Sequence, residues 1–207
     1  MGITLPTIGQ SAWGGPLNLA VADVAHTGFN PRDLGYKLWN YDPGDVSTAS
    51  PGALTSGQVR TIKLPRLTQA DTLTGLGFVI GTIATTPTAG QCFVGLYTIS
   101  GTTATRVAVS ADISGNLATT GLIKYPFTGT YSAALGAEML AAILVNAATP
   151  PQLGAKSGVG ISSIHNGDLV AASLRVANGP STQTSLPASI DMTTRAGAAA
   201  YTCAAAY

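Results

Sequence analysis

The chain has 207 residues, 45% of them hydrophobic and only 9% charged, with a formal net charge of +1. That length can bury one sizeable core without disulfides or metals, and so little charge, against about a quarter in an ordinary soluble domain, leaves a surface of Thr, Ser, Gly, Ala and Asn. Scattered Lys and Arg without a basic stripe exclude nucleic-acid binding, and the weak charge repulsion of such a surface favours a subunit covered by partners over a free monomer.

The opening "MGITLPT" has no charged n-region and no apolar h-region, and Pro6 stands where a myristoylation motif needs Ser or Thr, so no signal or lipid anchor of those kinds is expected. In "WGGPLNLAVADVAHTG", Pro16 suits a first helical position, Leu17, Ala20, Val21 and Val24 recur at helical spacing, and Gly28 is a good stop. The pattern predicts a helix of about three turns. Ordering it costs roughly 1–2 kcal/mol per residue, while burying Leu17, Val21 and Val24 returns about 1.5–3 kcal/mol each. Alone it should melt. The face carrying Trp13, Leu17, Val21 and Val24 is therefore the candidate oligomerisation or docking surface, meeting copies around a symmetry axis or another body. Capping the core of its own domain is the alternative.

Residues 1–34 are thus expected to form an attachment segment and residues 35–56 a connector punctuated by "YDPGD" and "ASPGA". Asp42-Pro43-Gly44-Asp45 reads as a tight turn rather than a Ca²⁺ loop, since the spacing of an EF-hand is lacking. "GYKLWNY" alternates like a strand, with Lys37, Trp39 and Tyr41 on one face and Tyr36 and Leu38 on the other. Trp39 with Tyr41 is the candidate glycan platform and Trp13 the next, although rings of this kind also pack in cores and interfaces.

Residues 57–207 read as short strands separated by turns: "QVRTIKL", "TLTGLGFVIGTIA", "QCFVGLYTIS", "TRVAVS", "LATTGLI", "DLVAASLRV" and "AAYTCAAAY". Asn166-Gly167 predicts a type I′ hairpin joining "GISSI" to "LVAASLRV". "GLGFVIG" fails as a dinucleotide fingerprint because Ile80 replaces the third glycine and no helix pattern follows. The longest apolar run, residues 139–145, is too short to span a bilayer. Its segment "SAALGAEMLAAILVN" has helix propensity but ends like a buried strand before "AATPP", and periodicity does not separate the two. Tyr97, Tyr125 and Tyr131 are expected in the core or at its rim.

No catalytic constellation is found: Glu138 is the only glutamate, His26 and His165 are far apart, and no paired-carboxylate or nucleophile-elbow pattern occurs. No catalytic residue, metal site or cofactor is expected. His165 and Asp168 flank a turn, read as a solvated turn before a metal or acid/base site. Cys92 and Cys203 read as buried free thiols, with a bridge as the minority reading.

"ITLPTIGQSAWGGPLNLAVADV" resembles the N-terminal segments of bacteriophage minor tail and tail-fibre proteins, and "LTGLGFVIGTIATTPTAGQCFVGLYTISGTTATRVAVSADISG" with "LIKYPFTGTYSAALGAEMLAAILVNAATPPQLG" is similar to the β-sandwich of phage adhesins. The resemblance implies an all-β, jelly-roll-like antiparallel β-sandwich preceded by a short N-terminal attachment helix, and a strand at residues 138–146. It also implies a homotrimeric virion protein, assembled in the host cytoplasm, bound to other virion proteins through its N-terminal segment and displaying the sandwich to host-surface carbohydrate. "GAEMLAAILVN" departs from the aromatic-rich "GxYxxxLLxN" strand of such domains, so no binding residue is carried over. The alternative role is a capsid decoration or head-fibre protein that stabilises the capsid. Neither role involves nucleic acid or membrane.

Overall fold

The computed structural model describes residues 31–156 and 166–207. The expected helix with Leu17, Val21 and Val24, together with Trp13, lies outside the described residues. The strands are β1 Leu38–Trp39, β2 Val46–Ala53, β3 Arg60–Leu64, β4 Asp71–Thr82, β5 Thr85–Pro87, β6 Phe93–Ser100, β7 Thr103–Val109, β8 Gly121–Ala133, β9 Met139–Leu144, β10 Ala147–Thr149, β11 Gln152–Lys156, β12 Val176–Asn178, β13 Ser189–Asp191, β14 Ala196–Gly197 and β15 Ala204–Ala206.

They form an antiparallel β-sandwich, the fold class expected. One sheet has the order β1-β15-β4-β11-β2 with β8 also on β4, the other the order β13-β7-β6-β9-β3-β12-β14, and β5 pairs with β10 alone. From β2 to β4, and again from β7 to β12, the chain keeps crossing between the two main sheets. Between the sheets, Leu73, Leu76, Phe78 and Ile80 of β4 meet Ile62 of β3, Val94 and Leu96 of β6, and Met139, Ala141 and Ile143 of β9.

Both sheets also bury part of their outer faces. Tyr97, Leu140, Ala142 and Leu144 point away from the main core and are covered by Leu186, Ile190 and Met192. A strand enclosed on both sides reads as an unbroken apolar run, which is why "MLAAIL" lacks alternation and forms a strand despite its helix propensity. On the other sheet Tyr36, Trp39 and Ala205 cluster with Leu122 and Tyr207. Gly75 of β4 is required there, because a Cβ would lie 2.3 Å from the Tyr207 hydroxyl and 2.5 Å from the Tyr125 carbonyl oxygen.

Four expectations need correction. Residues 35–56 are not a separate connector, since β1 pairs with β15 and β2 with β11, both within the first sheet. "GYKLWNY" is not one alternating strand: β1 spans two residues, so Tyr36 and Trp39 share a face with ring centroids 6.3 Å apart, while Leu38 enters the main core. "LATTGLI" overlaps only the first three residues of a thirteen-residue strand, β8, in which Pro126 is accommodated because β4 is the only strand that β8 pairs with, apart from a single bridge from Phe127 to Ser110, and the register shifts beside it. The first arm of the expected Asn166-Gly167 hairpin, "GISSI", lies outside the described residues, and the second is not one strand: "LVAASLR" holds a 3-10 turn at Ala171–Ser173 and β12 begins only at Val176. The Asn166 side chain dictates this, accepting from the Arg175 and Val176 amides (2.9 and 3.3 Å) and donating to the Val176 carbonyl (2.9 Å). A buried carboxamide so engaged closes a loop instead of a two-residue turn.

Candidate functional site

The site begins at the far end of β3. Pro65 lacks an amide proton and ends the strand, leaving Lys63 and Arg66 beside a groove of about 300 Å³ that is also lined by Asn40, Arg175 and Tyr201. Asn40 makes the floor rigid: its amide donates to the Thr202 carbonyl (2.8 Å) and its oxygen accepts from the Ala204 amide (2.9 Å). Tyr201 stands just before β15 and stacks on Tyr41 with centroids 5.0 Å apart and an interplanar angle of 28°. The Tyr41 hydroxyl donates to the Tyr201 carbonyl at 2.8 Å, which locks the two rings together. Arg175 is brought beside Lys63 by backbone pairing, the Lys63 amide donating to the Arg175 carbonyl at 2.7 Å. Asn166 holds Arg175 from the other side.

Glu138 is the counter-charge of this cluster, paired with Lys63 at 3.4 Å and with Arg66. The Arg66 guanidinium, followed by the Lys63 ammonium, holds its carboxyl below the usual range. Burial pushes the Tyr201 phenol up, while the nearby Arg175 charge opposes the shift. Burial also pushes up Tyr41, an effect reinforced by Cys203, Tyr201 and Asp45.

The two proposed platform residues part company. Trp39 is 8% exposed and packs in the outer cluster with Tyr36, whereas Tyr41 is half-buried and its stacking partner is Tyr201. Sequence alone had no means of pairing residues 41 and 201; the turn at Asp42, whose carboxylate accepts from the Gly44 amide at 2.8 Å, and the Asn40 clamp do so. Asp45 does not join Asp42 in a ligand set but pairs with Lys156 at 3.3 Å. "GLGFVIG" lies within β4. Cys92 and Cys203 are buried free thiols, and burial pushes Cys203 up to about 12. Tyr97 and Tyr125 are core residues and Tyr131 is packed at the rim of the core. Asp168 is exposed, and His26 and His165 lie outside the described residues.

Among the described residues there is no group of three or more His, Cys, Asp or Glu that could hold a metal ion, and no helix long and apolar enough to cross a membrane. Compared with protein-family models and with curated proteins, the sequence finds no match. Chemically, the groove joins a fixed aromatic ring, a rigid carboxamide and three cations, two of which share the Glu138 carboxylate, an arrangement that can bind but has no paired acid and base.

Proposed function

We propose that this chain is a non-enzymatic bacteriophage virion protein, a homotrimeric minor tail or fibre subunit that displays its β-sandwich for attachment to host-surface glycan. The observation that carries the reading is the Tyr41–Tyr201 stack at the Asn40 groove, because a sugar is gripped by a flat ring together with side chains that donate hydrogen bonds. The resemblance of the N-terminal run to phage tail proteins supplies the virion context, with Trp13, Leu17, Val21 and Val24 as the docking or trimerisation face. Three copies would raise weak sugar contacts by avidity.

The test is adsorption of the labelled full-length protein to a panel of bacterial hosts, with native mass measured on the same sample. A trimer that adsorbs, and is displaced by soluble surface polysaccharide, is the expected result; a monomer that adsorbs to no host overturns the proposal. The charge-poor surface favours a second reading, capsid decoration. That role predicts that particles lacking the protein burst at lower temperature, whereas loss of an attachment subunit leaves particle stability intact and abolishes infection.

A further inference from the structure

Three of the ten Lys and Arg residues line the Asn40 groove. Most of the other seven are engaged elsewhere: Arg32 and Lys37 pair with Asp71, Lys156 with Asp45, Lys124 lies over the Tyr36 and Tyr207 rings, and Arg106 donates to the Leu186 carbonyl. Arg60 and Arg195 are buried. In the groove, Lys63 and Arg66 share the single carboxylate of Glu138, and the exposed Arg175 has no carboxylate among the described residues. Three cations against one anion leave two positive charges in excess in a chain whose total is +1. Neutral sugars give no return on holding like charges together, since their hydroxyls are served equally well by amides.

We propose that the groove binds an anionic saccharide, its ring against Tyr201 and its carboxylate or phosphate held by Arg175 with Lys63 and Arg66. The assignment rests on the glycan reading above and specifies its ligand class. Guanidinium groups match the planar carboxylate and the phosphate alike, and the rigid Asn40 carboxamide and the locked Tyr201 ring reduce the ordering cost of binding. Three cations around one groove are too few to track a nucleic-acid backbone.

Calorimetric titration of the full-length protein tests this with a short oligouronate, a short sugar-phosphate oligomer, a neutral oligosaccharide of equal length, inorganic phosphate and a single-stranded oligonucleotide. One or both anionic saccharides should bind about tenfold or more tightly than the neutral one, weaken as salt rises, and lose about tenfold with Arg175→Ala. Glu138→Gln should tighten binding a few-fold, which a merely structural role for the cluster does not predict. Equal binding of neutral and acidic sugars, unchanged by Arg175→Ala, overturns the anionic assignment and leaves the glycan reading standing. Inorganic phosphate or the oligonucleotide binding as tightly as the saccharides overturns the saccharide assignment. Binding of none of these probes overturns the inference, and whether host adsorption survives then decides the glycan reading separately.

Discussion

Strand β3 carries cations at both ends, and the two ends treat them in opposite ways. At its start Arg60 is 5% exposed, donating from Nε to Asn178 at 2.9 Å and from Nη2 to the Ala53 carbonyl at 2.8 Å, so it ties β3 and β12 to β2 of the facing sheet. Arg195 serves the same strand from outside: its Nη1 reaches Thr61 at 3.2 Å and its Nη2 the carbonyls of Ala171, Ala172 and Leu174 at 3.0 to 3.3 Å. Burial lowers both guanidinium groups to about 10. At its other end Lys63, Arg66 and Arg175 face an open groove, with one carboxylate shared by Lys63 and Arg66. A buried arginine must find acceptors or pay the full desolvation cost, whereas an exposed cluster keeps its charge in contact with water.

The contrast is sharpest in stability. Arg195→Met should cost about 3 kcal/mol in urea unfolding, because three carbonyls and Thr61 lose a shared donor in a buried setting. Arg60→Met should cost less, about 1 kcal/mol, since its Nη1 has no hydrogen-bond partner and the substitution also removes a buried charge. Equal losses for the two would break the distinction between a fully engaged and a partly engaged guanidinium. Glu138 tests the other end through pH. Its carboxyl is depressed in the folded state, so its contribution is present above the unfolded pKa of about 4.3 and is lost as pH falls through the folded value. The pair is solvent-screened, so Glu138→Gln should remove well under about 1 kcal/mol at pH 7 and flatten the stability profile below pH ~4.5. Smallest of all, Arg175→Ala should change thermal stability by no more than about 0.5 kcal/mol, as measured by calorimetry. A larger loss would make Arg175 a structural residue like Arg195.

Much of the sandwich was legible because strands such as β4 and β6 carry β-branched and aromatic residues between clear turns. β9 was ambiguous for a physical reason: enclosure on both faces erases the period-two signal, and only the ending before "AATPP" and the resemblance favoured a strand. The Asn166 turn misled because a side chain that bonds three backbone groups about ten residues away overrides a local dipeptide preference. In the groove, Tyr41 was legible as a candidate, but its partner Tyr201 and the cations Lys63, Arg66 and Arg175 meet through pairings more than a hundred residues apart. No spacing rule reaches that far. Nor does anything in the sequence separate Arg60 and Arg195 from Arg66 and Arg175, since only tertiary burial does.

The most direct measurement is a crystal structure of the full-length protein with an oligouronate or a sugar-phosphate oligomer. The account places a sugar ring on Tyr201 and its anionic group within hydrogen-bond distance of Arg175. A saccharide seated elsewhere, with Lys63 and Arg66 still closed on Glu138 and the groove empty, would contradict it.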